Sequence, residues 1–115
     1  MLEEKAKLFK ALSDPNRLRI LKMLQSRKLC VCEITEILEL ATSTVSEHLT
    51  VLRRAGFIIE EKDGKWVNYM INPRSSDPTV ASMLSMLPFW INDDAKLNDD
   101  LEKINSVDRN KLCSR

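Results

Sequence analysis

The sequence predicts a mainly α-helical fold with a single two-stranded β-hairpin, and three observations predict it. Apolar residues recur at helical spacing along most of the chain. Two short helical patterns near the middle are separated by only about three or four residues, the pattern of a helix-turn-helix. An Asp63-Gly64 pair lies between two runs of alternating residues, "FIIEEKDGKWVNYMI", and such a pair is the strongest short-range signal for a tight hairpin turn.

The elements follow in order. Residues 3 to 12 place Ala6 and Phe9, with Leu2 and Leu12 beside them, on one face of an amphipathic helix. In "SDPNRLRILKMLQ" either Ser13 or Asp14 can cap, Pro15 suits a first helical position, and Leu18, Leu21 and Leu24 recur along the helix. After the basic hinge "SRK", residues 31 to 39 form a short helix that buries Ile34, Ile37 and Leu38. Thr42 is the expected N-cap of the next helix, which buries Val45, Leu49 and Leu52 and stops at Gly56. The hairpin is the wing of a winged helix-turn-helix. Asp77 or Ser76 can then cap "TVASMLSMLPFWI", an apolar helix that Pro88 should kink or end. Leu97, Leu101 and Ile104 mark a last helix before a tail carrying Cys113. The expected division is a winged helix-turn-helix and dimerisation domain over 1–92, then a C-terminal helix and tail over 93–115.

Composition bounds the function. The 115 residues are 43% hydrophobic and 30% charged with two glycines and four prolines, which suits one helix-rich globular domain. No apolar run is long enough to span a bilayer and the N-terminus lacks a secretory pattern, so a cytoplasmic protein with no membrane partner is expected. Eighteen basic against 17 acidic residues, a net charge of +1, leave room for a basic face without demanding one. Three cysteines make a disulfide framework a poor explanation, and reduced thiols acting as ligands fit better. No Ser/His/Asp or Cys/His set, Gly-rich phosphate loop or carboxylate pair is placed for catalysis, so no enzyme is expected.

A recognition helix enters the major groove when its outward side chains are short and polar. Thr42, Ser43, Thr44, Ser46, Glu47 and His48 supply that set, with hydroxyls for phosphate or base and His48 as a donor. Glu47 repels phosphate, so it must either meet a base, where it can accept from a cytosine amino group, or lie paired with a cation. Arg53 and Arg54 flank the helix, and Lys62 and Lys65 stand at the wing tip where backbone contact is easy. The alternative for the same residues is a three-helix bundle with one solvated polar helix.

The run "LCVCEITEILELATSTVSEHLTVLRRAGFIIEEKDGKWVNYMI" resembles the ArsR/SmtB family of winged-helix repressors, and specifically its arsenic-responsive branch. The likeness extends back through "ALSDPNRLRILKML" and forward into "FWINDDAKLNDDLEKI". It implies a homodimer on an inverted-repeat operator that represses a resistance operon until a toxic metal or metalloid binds. The implied dimer surface is the first helix with residues 79 to 91. That would cover Met83, Met86, Leu87, Phe89 and Trp90, although an internal core remains the alternative for some of them.

In that setting "LCVC" becomes a thiol site for arsenite or antimonite as inducer, with no cofactor needed for DNA binding. Trivalent arsenic takes soft thiolates, and Cys30 and Cys32 provide two. A helix N-terminus with Arg27 and Lys28 nearby is expected to favour the thiolate form. Residues i and i+2 differ by about 200° around a regular helix, so both can face one ion only through a distorted first turn. Where one family pattern has a third cysteine this chain has Thr35, so the third ligand is Cys113 or an outside thiol such as glutathione, or is absent. Alternative readings are a cadmium- or lead-responsive repressor, against which stands the lack of a cysteine before Cys30, and a thiol redox switch.

Overall fold

The computed structural model describes residues 1–108. Their order is α1 (Leu2–Ala11), α2 (Pro15–Ser26), β1 (Leu29–Cys30), α3 (Val31–Leu38), α4 (Thr42–Arg54), β2 (Ile58–Asp63), β3 (Trp66–Ile71), α5 (Pro78–Trp90) and α6 (Ala95–Ile104). α3 and α4 are the helix-turn-helix, and β2 and β3 are the wing.

Helix boundaries follow local chemistry. Asp14 Oδ1 accepts the backbone N–H groups of Asn16 at 2.8 Å and Arg17 at 3.2 Å, with Pro15 at the first position of α2. Burial pulls the Asp14 carboxyl up, but these two N–H bonds together with the charge of Arg17 leave it below the ordinary carboxylate range. Asp77 caps α5 through Thr79 N–H at 2.8 Å, and Asp94 caps α6. α4 differs from expectation: its N-cap is Ala41, whose carbonyl accepts Val45 N–H at 3.1 Å, and Thr42 is the exposed first helical residue with no capping bond. Gly56 ends the segment at φ +90, a left-handed value that costs glycine least.

The wing holds a surprise. The sheet has three strands in the order β1-β3-β2, all antiparallel, because Leu29 and Cys30 pair with Tyr69 and Asn68. The two residues that follow the expected basic hinge are thus a short strand. Asp63 and Trp66 close the hairpin as a pair, so the two-residue loop is Gly64-Lys65 rather than Asp63-Gly64. Gly64 has φ +61 and Lys65 no positive φ, as in a turn that places glycine first.

The core is continuous from α1 to α6. Leu8, Ile20, Leu21, Met23, Leu24, Leu29, Ile34, Ile37, Val45, Leu49, Leu52, Phe57, Val80, Met83, Leu87 and Ile104 share it. Met83 and Leu87 are therefore internal, while Met86, Phe89 and Trp90 stay exposed at 43%, 76% and 54%. On α1 the inward residues are Leu8 and Ala11, and the expected face of Leu2, Ala6 and Phe9 points to solvent. α5 runs through Pro88 instead of breaking there. A proline leaves the carbonyl four residues back without its helical donor, and here that carbonyl, Leu84 O, accepts Gln25 Nε2 from α2 at 3.0 Å.

α6 is clamped by a buried ion pair. Arg19 Nε and Nη2 donate to the two carboxylate oxygens of Asp100 at 2.8 and 2.9 Å, and Asn16 Oδ1 takes Arg19 Nη1 at 2.9 Å. The hydrogen bond to Asp100 holds the guanidinium above its ordinary pKa despite its burial. Removing one partner leaves a buried charge alone. Asp100→Ala is therefore expected to lower stability by about 3 kcal/mol in urea unfolding. A loss under about 1 kcal/mol would show the clamp to be dispensable.

Candidate functional site

The outward face of α4 carries the polar set. Thr42, Ser43, Ser46 and Glu47 are exposed, and Thr44 and His48 are half-buried. The helix projects them because Val45, Leu49 and Leu52 anchor its opposite stripe in the core. Thr50 Oγ1 donates to Ser46 O at 2.9 Å, which ties one hydroxyl back to its own helix.

His48 is not simply outward. Its Nδ1 lies 3.2 Å from Arg17 Nη1, and Arg17 is itself held by Nε to Ala11 O at 2.7 Å. Arginine can only donate, so Nδ1 accepts and the ring proton sits on Nε2, the nitrogen left for another contact. Arg17 thus joins the end of α1 to the recognition helix. The sequence reading missed this role because the two residues are far apart in the chain.

The wing places Lys62 and Lys65 in solvent, with Lys65 Nζ 4.7 Å from the Trp66 ring centroid. An Arg53–Glu60 ion pair at 3.7 Å links the end of α4 to β2. Lys28 is taken by Glu61 at 3.0 Å.

The thiol region departs from expectation in two ways. Cys30 lies outside the helix as the N-cap of α3, at φ -89 and ψ 168, and it is also the last residue of β1. The separation of Cys30 from Cys32 is therefore set by a strand-to-helix junction and not by a 200° step around a regular helix. The junction is a capping box. Cys30 Sγ accepts Glu33 N–H, and Glu33 Oε1 accepts Cys30 N–H at 3.0 Å. Glu33 stands three residues after Cys30, the capping-box spacing, but cysteine is outside the usual capping set and the signal passed unread.

The second departure is electrostatic. Cys30 is a buried, reduced thiol, and burial pushes its pKa up, with the Glu33 carboxylate adding to the rise. Arg27 does not offset this: its Nη2 is shared between Glu33 Oε2 and Ile104 O, both at 3.2 Å. The expected stabilisation of a thiolate by Arg27 and Lys28 is absent, since each cation is spent on a carboxylate. Cys32 is half-buried in the first turn of α3 and, unlike the reduced thiol expected from the sequence, is disulfide-bonded. Thr35 Oγ1 is shielded from water and has no hydrogen-bond partner among the described residues. Among those residues, too, no three His, Cys, Asp or Glu side chains gather as a cation site. Cys113, the expected third ligand, lies outside them.

The family model described as bacterial regulatory protein, arsR family, matches residues 14–60, which span α2, β1, the helix-turn-helix and the start of the wing. The arsenical resistance operon repressor of Escherichia coli K12 is 33% identical over 109 residues, covering 90% of this chain and 80% of that one. The chain belongs to the ArsR family. This ArsR-family chain is also 45% identical over 64 residues to the cadmium resistance transcriptional regulatory protein CadC of Listeria innocua, covering 55% of this chain and 54% of that protein.

Solved structures give the same fold. Reduced HlyU from Vibrio cholerae matches with a TM-score of 0.66 and 32% identity over 79% of this chain and 92% of that one. The homodimeric winged helix-turn-helix DNA-binding domain Mb0332 from Mycobacterium bovis matches at 0.65 with 25% identity, covering 77% and 79%. As an ArsR-family member the chain is a DNA-binding transcriptional repressor and not an enzyme. No helix of the described residues is long and apolar enough to cross a membrane.

The protonated state of Cys30 is directly testable. At pH 7 its alkylation by iodoacetamide in the native protein is expected to be about tenfold or more slower than in the urea-unfolded chain, because thiolate is the reacting form. Peptide mass mapping over time reads both rates, and equal rates would show Cys30 to be open and ionised.

Proposed function

We propose that this chain is a cytoplasmic, homodimeric repressor of a metalloid-resistance operon, released from an inverted-repeat operator when arsenite or antimonite binds its thiols. The observation that carries it is the placement of Cys30 as the N-cap of the first motif helix. There the ligating sulfur and the helix start are one structural unit. In support, the Escherichia coli relative that spans most of the chain is named an arsenical resistance operon repressor.

The route is chemical and local. Each thiol that joins arsenous acid exchanges one As–OH for one As–S bond, and the thiol proton leaves with the hydroxide as water. Cys30 reacts as the neutral thiol that burial favours. The S–As bond takes the place of the S–H bond, and the bulk of the arsenic and its other ligands draws Cys30 out of its buried place and away from Glu33 N–H, which opens the capping box. α3 loses its start, and α4, packed on α3, is no longer held in its DNA-reading position. By linkage, operator DNA weakens arsenite binding by the factor that arsenite weakens operator binding. Cys32, its disulfide first reduced by two small-molecule thiols that leave as their own disulfide, is the second ligand and Cys113 the third.

On the DNA side, α4 lies in the major groove with Thr42, Ser43, Thr44, Ser46, Glu47 and His48 toward it, and Lys62 and Lys65 at the wing meet phosphate. The second copy of the chain covers the apolar residues left outside the core on α1 and α5, among them Leu2 at 82% and Phe9 at 61% exposure.

Fluorescence anisotropy on operator DNA with and without arsenite tests the release. Wild type should lose about tenfold or more in affinity, the scale of an allosteric coupling. Cys30→Ser and Cys32→Ser should keep operator binding and lose release. Serine is a good N-cap, so Cys30→Ser preserves α3 and separates induction from folding. Release retained in both variants, or release by cadmium but not arsenite, would refute the arsenic reading. X-ray absorption should count three sulfur neighbours in wild type and two in Cys113→Ser. Phe89→Lys, in a second test, is expected to shift the dimer to monomer in sedimentation, and an unchanged dimer would place the interface elsewhere.

A further inference from the structure

Glu47 poses a problem for a protein that binds a polyanion. It is exposed on the outward face of α4 and makes no hydrogen bond or ion pair among the described residues. Among the described residues no cation lies within ion-pair distance of Glu47, and Arg53 of the same helix faces Glu60 instead. The other resolution, pairing with a cation, is therefore not the one the fold adopts. A carboxylate carried into the major groove is stabilised only by a donor, and the donors there are the cytosine N4 and adenine N6 amino groups. The adenine N6 amino group lies between two acceptors, its own N7 and the paired thymine O4, whereas the cytosine amino group has the guanine O6 on one side only and the C5–H on the other.

A second residue stands beside it. Val51 is four positions on, one helical turn along the same face, and is 37% exposed although β-branched and apolar. Ser46, Glu47, Thr50 and Val51 together line a shallow groove on that face. The major-groove partner of an exposed apolar side chain is the thymine C5-methyl group. A helical rise of about 6 Å between the two residues corresponds to one or two base-pair steps of about 3.4 Å.

We propose that Glu47 and Val51 are a base-reading pair that selects a cytosine and a neighbouring thymine in each operator half-site. Glu47 supplies selection by attraction and by repulsion, since guanine O6/N7 and thymine O4 are acceptors that a carboxylate rejects. Val51 supplies it by contact with one methyl group. The inference rests on the reading of α4 as the groove-bound helix.

Selection from a randomised half-site library, followed by anisotropy on the chosen sequences, tests it. Wild type should prefer cytosine at one position per half-site by about tenfold. Glu47→Ala should lose that preference, and Glu47→Gln should move it toward adenine, whose N6/N7 edge matches an amide. Replacing single thymines by deoxyuridine, which lacks only the methyl, should weaken wild type at one position per half-site and leave Val51→Ala indifferent. The idea is overturned if Glu47→Ala binds all sequences more tightly with unchanged base preference, which is simple relief of repulsion. It is equally overturned if the deoxyuridine penalty is the same in Val51→Ala. Wild type that selects sequence with no effect of either variant, nor of Ser43→Ala or Ser46→Ala, would instead refute α4 as the reading helix. Both positions are exposed, so unchanged thermal melting checks that the variants are folded.

Discussion

The carboxylate of Glu33 is the constraint on which the rest of this structure depends. It is buried, and a buried carboxylate is tolerated only when its oxygens are bonded. One oxygen takes the Cys30 N–H and the other takes Arg27, which in turn holds the last carbonyl of α6. A single side chain thereby joins the β1 end, the start of α3 and the end of α6. The position of α3 sets that of α4 through packed apolar residues, so the DNA-reading face inherits its placement from this junction.

α2 is the second organiser. It supplies Arg19 to the Asp100 clamp, Gln25 to the carbonyl stranded by Pro88, and Arg17 to the recognition helix. Each is a polar bond that crosses between elements, and the first two satisfy groups that would otherwise be buried without a partner. These bonds explain why α5 passes through a proline unbroken. They also leave the outer sides of α1 and α5 without apolar cover, which is the physical argument for a second copy.

The thiol chemistry and the fold oppose one another in a useful way. A cysteine exposed as thiolate would bind a soft ion readily but would have no structural role to give up. Cys30 is buried and protonated, and it caps a helix, so binding there must be coupled to a rearrangement. In the proposed induction, the cost of that rearrangement is the source of the link between inducer and operator.

Much was legible in the sequence. Asp14-Pro15 and Asp77 announced their caps, Gly56 its helix end, the Val45, Leu49 and Leu52 stripe its buried face, and the Asp-Gly pair its hairpin. All are contacts between residues a few positions apart, and propensity and spacing encode such contacts. Tertiary structure alone decided that Leu29 and Cys30 pair with β3, that Pro88 does not end α5, that Arg17 fixes the His48 tautomer, and that the Cys30 thiol is held protonated. Each of these depends on a partner distant in the chain or on exclusion of water. Arg19 and Asp100 meet across 81 positions. No local pattern carries such information, because burial and pairing exist only once the chain has packed.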